Sequence, residues 1–160
     1  MSEQLKVGIS DYKLTEAPNE LMTIGLGSCV GIAIYAPKSK VGALSHIMLP
    51  DSQSFTDTSH WAKFADLALP KIIEELKCKT GETDLLAKIA GGASMFSFTS
   101  DSPSLQIGQR NIHAVKSKLE ELNLPILGEH VGGKMGRSMF FNLETFEVRI
   151  RMVNREEFIL

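Results

Sequence analysis

At 160 residues, with 43% hydrophobic and 22% charged side chains, the chain has the composition of one globular domain able to bury its own core. A net charge of −2 gives no electrostatic handle for nucleic acid or an anionic membrane surface. No apolar run nears the roughly 20 residues that cross a bilayer, so membrane insertion is not expected, and two cysteines, Cys29 and Cys78, are too few for a disulfide framework.

The opening MSEQLKVGISDYKL lacks a basic start followed by an apolar core. No signal peptide is therefore expected, and cytoplasmic residence with reduced thiols follows. Residues 5–9 alternate as a short edge strand, and the polar stretch 10–20, which contains Pro18, is expected to cross the surface. Two apolar runs, 29–36 and 41–49, flank the polar loop Pro37-Lys38-Ser39-Lys40 and read as a β-hairpin. A register centred on that loop sets Cys29 opposite Met48 and Gly31 opposite His46, with all four side chains on one face. Val30, Ile32 and Ile34 fall on one side of the first strand, Ala33 and Tyr35 on the other. A sheet apolar on both faces needs cover on both, which points to a layered α/β or α+β domain.

Residues 50–57 form a loop directly after the strand that carries His46. Thr58 or Ser59 is expected to cap a helix running to about Cys78, with Trp61, Phe64, Ala65, Ala68, Ile72 and Leu76 along one stripe. Pro70 should bend or break that helix, and the Lys77–Gly81 stretch should end it. Residues 85–90 read as a strand ending in the turn Gly91-Gly92-Ala93. Phe96 and Phe98 then sit in a serine-rich loop, either folded under as a local cluster or exposed as an apolar patch for a protein partner. A second helix is expected from about Gln109 to Leu122, with Ile112, Val115, Leu119 and Leu122 inward and Asn123 and Pro125 as its stop. Strands follow at 126–131, 138–142 and 146–153, joined by the glycine loop 132–136 and the turn Asn142–Thr145. No repeat, linker or composition break divides residues 1–160, so they are read as one domain.

Chemistry concentrates around the hairpin. Cys29 and His46 become diagonal cross-strand neighbours, with backbones roughly 7–8 Å apart, and a thiol beside an imidazole is a nucleophile–base pair. The turn Gly25-Leu26-Gly27 delivers Ser28 and Cys29, and the backbone N–H groups of Gly27, Ser28 and Cys29 are candidate oxyanion donors. Thr23, six residues before Cys29, carries a hydroxyl able to hold the ring. A plainer alternative stands beside each: Cys29 as a small buried hydrophobe, His46 as a core histidine held by a carbonyl, Thr23 as a β-branched strand residue. Cys78, between lysines at a helix end, is given no role. Gly25–Val30 starts like GxGxxG, but valine replaces the third glycine and a strand follows. Gly128–Lys134 fits GxxxxGK, but Met135 stands where the Mg2+-binding hydroxyl belongs. Neither is a nucleotide site, and the four histidines and two cysteines show no metal-ligand spacing.

The runs TIGLGSCVGIAIY, VGALSHIMLPDS, KIAGGASMF, IGQRNIHAV and GEHVGGKMGRSMFFNLETFEV together resemble the CheD family of chemoreceptor glutamine deamidases over nearly the whole chain. The resemblance implies Cys29 as nucleophile, His46 as base and Thr23 as the third member of the set. It implies a three-layer α/β (α+β) sandwich, similar to the deamidase domain of cytotoxic necrotizing factors, with a mixed, mostly antiparallel sheet core and two main helices. The implied substrates are glutamines on the cytoplasmic helices of methyl-accepting chemoreceptors, converted to glutamate with release of ammonia and no metal or organic cofactor. The family also binds the phosphatase CheC, for which Phe96, Phe98 and Gly133 of the glycine loop are candidate docking residues. Two other readings follow from the same residues: a mainly non-enzymatic module that docks on CheC and receptors, and a cysteine amidase acting on small substrates.

Overall fold

The hairpin lies at the centre of the molecule because its two strands are apolar on both faces. In the computed structural model, which describes residues 2–94 and 106–160, these residues form ten strands and two α-helices. In chain order they are β1 (Gln4–Lys6), β2 (Tyr12–Glu16), β3 (Glu20–Leu26), β4 (Val30–Ala36), β5 (Val41–Ile47), α1 (Ala65–Thr80), β6 (Leu86–Gly91), α2 (Ile107–Glu121), β7 (Ile126–Val131), β8 (Arg137–Asn142), β9 (Val148–Met152) and β10 (Glu157–Ile159). Every residue of β4 and β5 is buried. Gly31 pairs with His46, Ala33 with Leu44 and Tyr35 with Gly42, the register expected from a turn centred on 37–40.

Two five-stranded sheets result, ordered β1-β3-β8-β9-β10 and β2-β5-β4-β6-β7. All neighbours are antiparallel except β1–β3 and β6–β7. One face of the hairpin sheet, carrying Val30, Ile32, Ile34, Val41 and Ile47, packs with Leu69, Ile72 and Leu76 of α1 and with Val115 and Leu119 of α2. The opposite face, carrying Ala33, Tyr35 and Leu44, packs with Leu21, Met139, Phe141 and Ile150 of the first sheet. The order of layers is helices, sheet, sheet, an α+β sandwich with both hairpin faces covered. Each fully buried aliphatic side chain in these interfaces contributes on the order of 1.5–3 kcal/mol.

Several boundaries differ from expectation, each for a local reason. The stretch 10–20 contains a strand, β2, whose Tyr12 and Leu14 lie against the helix-side core. Neither Thr58 nor Ser59 caps α1. The N–H and hydroxyl of Ser59 both bond the Asp57 carboxylate, at 3.0 and 2.7 Å. A 3-10 turn over Trp61–Lys63 comes first, and Phe64 is then held extended against Leu49, whose N–H donates to the Lys63 carbonyl and whose carbonyl accepts from Ala65. The helix therefore starts only after Phe64. It continues through Pro70, where only one turn precedes the ring and Leu69, Ile72 and Ile73 are all buried. Gly81 closes α1 at φ 75°, as its position after Lys77 and Lys79 suggests. The terminal strand β10, short and exposed, had no periodic signal.

Candidate active site

Cys29 stands in the turn between β3 and β4, one residue before the ladder begins. Gly25 takes φ 74°, a left-handed conformation suited to glycine, and the N–H of Gly27 closes onto its carbonyl at 3.0 Å. Gly27 is thus removed from the expected set of oxyanion donors, because its hydrogen is already used inside the turn. The next three carbonyls are each anchored from behind. Gly27 O accepts from Ala93 N–H at 2.8 Å, Ser28 O from Asn111 Nδ2 at 2.9 Å, and Cys29 O from Gly92 N–H at 2.8 Å. A trans peptide is planar, so a fixed carbonyl fixes the N–H on its other side. Anchoring Gly27 O and Ser28 O therefore directs the N–H groups of Ser28 and Cys29 away from the anchors, and among the described residues no backbone carbonyl accepts from either.

The approach of the 91–93 segment requires glycine. Gly91 has φ 112°, and a Cβ there would lie 2.3 Å from the Cys29 carbonyl oxygen. Gly31, opposite His46, lets the two sheets approach closely. The room it leaves is filled by Met139 Sδ, 2.8 Å from where a Cβ would stand, and by Leu26, so the two sheets close over it.

His46 is fully buried. Its backbone is held on the β2 side, where its N–H donates to Asp11 O at 3.0 Å and its carbonyl accepts from Ser10 N–H at 2.9 Å. Its ring points across the sandwich to Thr23 on β3, whose Oγ1 lies 2.7 Å from His46 Nδ1 and 2.7 Å from the Val7 carbonyl. A hydroxyl has one hydrogen and a carbonyl can only accept, so Thr23 donates to Val7 and accepts from an Nδ1–H. That assignment leaves Nε2 with a lone pair, and Nε2 is buried with no hydrogen-bond partner among the described residues. Burial pulls the imidazole down to a pKa of about 4, because a charged ring in this site is poorly solvated. Burial likewise pushes the Cys29 thiol up, with its own backbone N–H acting the other way. Both groups are neutral at pH 7.

The thiol and imidazole share the face packed against the first sheet, where Cys29 borders the same core as Ala33 and Leu44. The paired positions are Gly31 and His46, which makes Cys29 the diagonal neighbour. Cys29 does not pair with Met48, however. The ladder ends at Val30–Ile47, and Met48 N–H bonds Lys63 O at 2.9 Å instead. No hydrogen bond joins Cys29 Sγ to His46 Nε2; in ligand-free enzymes catalytic hydrogen bonds are often long and tighten only once substrate is bound.

Gly133, at φ 77°, accepts from Ser94 N–H at 2.9 Å, so the glycine loop lies against the segment that anchors Gly27. Phe96 and Phe98 lie outside the described residues. Cys78 is exposed, with its thiol 3.5 Å from a Glu74 carboxylate oxygen. Two residues at the site were not anticipated. Asn111, an amide on the otherwise apolar inward stripe of Gly108, Ile112, Val115 and Leu119, is fully buried. Arg137, at the start of β8, is also buried and gathers the glycine loop: Nη1 donates to His130 O at 2.7 Å and His130 Nδ1 at 2.9 Å, and Nη2 to Met135 O at 3.0 Å and to Gly132 O. The signal for each was a polar residue at an apolar position of a periodic pattern. A cleft of about 320 Å3, lined by Gly25, Gly27, Arg137, Ser138, Arg151 and Val153 among others, opens beside the turn.

Comparison with known proteins agrees in one direction. The family profile described as CheD chemotactic sensory transduction matches residues 48–152. A protein of Clostridium botulinum strain Eklund 17B, named "Probable chemoreceptor glutamine deamidase CheD", is 50% identical over 151 residues, covering 94% of this chain and 93% of that protein. One of the same name from the Hall strain of Clostridium botulinum is 47% identical over 152 residues, covering 94% of each chain.

Proposed function

The chain belongs to the CheD family, and from that premise we propose that it is a protein-glutamine deamidase acting on chemoreceptors, with Cys29 as nucleophile, His46 as general base and Thr23 as the residue that orients the base. The observation that carries this reading is the Thr23 hydroxyl set between the Val7 carbonyl and His46 Nδ1, which leaves a buried Nε2, without a hydrogen-bond partner among the described residues, on the face shared with Cys29. A core histidine with a purely structural task has no need of a free ring nitrogen beside a thiol.

In the proposed cycle, Sγ attacks the carboxamide carbon of a receptor glutamine as its proton passes to Nε2. The two groups are neutral at rest, so proton transfer accompanies attack, and no thiolate–imidazolium pair waits beforehand. The oxyanion is held by the N–H groups of Ser28 and Cys29. Its collapse expels the amine, which takes the proton from Nε2 and leaves as ammonia, giving a thioester on Cys29. Water then attacks the thioester carbon and yields its proton to Nε2. Thiol and glutamate are released, and that proton returns to sulfur. Each turnover adds one negative charge to a receptor helix, a change able to shift helix–helix packing. The proposed setting is cytoplasmic, within the single domain 1–160 and without cofactor. Among the described residues no helix is long and apolar enough to cross a membrane. Docking on the phosphatase CheC rests on the family resemblance, with Gly133 the candidate contact among the described residues.

Ammonia release from a purified receptor cytoplasmic fragment tests the reading. Release with wild-type protein and none with Cys29→Ala is expected; equal release from both removes Cys29 as nucleophile.

A further inference from the structure

We propose that Asn111 is a positioning residue that sets the Cys29 N–H as an oxyanion donor, an inference that rests on the deamidase reading above. Beyond Val30–Ile47 the two hairpin strands separate, and Met48 N–H turns away to Lys63. The Asn111 amide bridges the opening. Its Nδ2 donates to Ser28 O and to Met48 O, both at 2.9 Å, so one side chain ties the residue before the nucleophile to the second residue after the base. Both partners are carbonyls, which fixes the amide with its nitrogen toward them. Among the described residues, the peptide joining Ser28 to Cys29 has only this side-chain bond to hold its carbonyl. Because that peptide is trans and planar, the bond sets the direction of the Cys29 N–H.

Deamidation passes through an oxyanion, whereas alkylation of a thiol by iodoacetamide does not. A residue that aims an oxyanion donor should affect the first reaction and leave the second alone. In a Cys78→Ser background, Asn111→Leu removes both donors at similar volume, and Asn111→Ser leaves a hydroxyl too short to bridge. The expected result is a loss of about 10–100-fold in kcat with KM within a factor of about two. This is less than the 10²–10³ seen when an oxyanion donor is deleted outright, because the N–H is displaced rather than removed. The rate and pH profile of Cys29 alkylation should stay those of the parent. Either variant that remains folded by thermal melt decides the matter. For wild-type protein, the amide hydrogen-exchange rate of Cys29 supplies a reading without a variant: an N–H freed of protein acceptors exchanges faster than that of the ladder residue Ile32. Unchanged kcat, or parallel losses in kcat and alkylation, or a Cys29 N–H as protected as the ladder, overturns the proposal. Failure of the deamidase reading is distinct, since it appears as wild-type turnover no greater than that of Cys29→Ala.

Discussion

Replacing Thr23 with valine isolates the contact on which the proposed base, His46, depends. Valine keeps the volume of threonine in this fully buried site, so the loss of the hydroxyl is not confounded by a cavity. Two groups lose their partners: the Val7 carbonyl, which accepted at 2.7 Å, and the His46 Nδ1–H, which donated over 2.7 Å. An unsatisfied buried polar group costs about 1–3 kcal/mol, so the pair predicts roughly 2–6 kcal/mol of destabilisation. At about 2–4 °C per kcal/mol for a chain of this size, a loss near 3 kcal/mol lowers Tm by about 6–12 °C. Activity should fall further than stability alone accounts for. Without the hydroxyl the ring is free to carry its hydrogen on Nε2, which removes the lone pair from the side facing Cys29, and a kcat loss of about 10–100-fold is expected from the partial loss of a general base. Differential scanning calorimetry gives the first quantity and steady-state ammonia release the second. Thr23→Ser, which keeps the hydroxyl, should lie close to wild type in kcat, and 15N spectra of the His46 ring should show the hydrogen fixed on Nδ1 in wild type and Thr23→Ser but not in Thr23→Val. A Thr23→Val protein with wild-type Tm and kcat would refute the reasoning.

Three further outcomes are expected. The folded-state pKa of His46, about 4, lies below the ordinary histidine value, so the unfolded chain binds the proton first. The contribution of His46 is complete above pH 6.5 and declines as pH falls toward 4, by up to about 3 kcal/mol; urea titrations across that window should show the decline, and His46→Gln should lack its share of it. Alkylation of Cys29 in the Cys78→Ser background should keep climbing above pH 9, because burial holds the thiol above its ordinary value; a plateau near pH 6 would reveal a resting thiolate–imidazolium pair and contradict the neutral-pair account. Gly91→Ala forces a side chain into a backbone at φ 112° and against the Cys29 carbonyl, so it should cost roughly 2–4 kcal/mol and slow turnover; a melt within 1 °C of wild type would show that the turn tolerates the displacement.

What could be read from sequence followed from periodicity. The hairpin register and the strand at 126–131 were legible because apolar residues alternate around short polar turns. The second helix was legible because Ile112, Val115 and Leu119 recur at three and four. Edge elements such as β2 and β10 were not, because short, half-polar strands draw their pairing from a neighbour. The start of α1 was misplaced because the tertiary pairing of Leu49 with Phe64 overrides local capping preference. At the site, Cys29 and His46 could be placed on one face from alternation alone, but the facing of Thr23 and His46 crosses from one sheet to the other, and no pattern within either strand encodes that. Asn111 reaches carbonyls 83 and 63 residues away in sequence, a relation visible only once the helix has docked.

The central claim is Cys29-dependent conversion of receptor glutamine to glutamate through a thioester. Intact-mass analysis of a receptor cytoplasmic fragment, incubated in H2(18)O with wild-type protein and with Cys29→Ala, tests it most directly. The account predicts a gain of about 3 Da per modified glutamine, one nitrogen group exchanged for solvent oxygen, with wild-type protein and none with the variant. An unchanged mass with wild-type protein, or the same gain with Cys29→Ala, would contradict it.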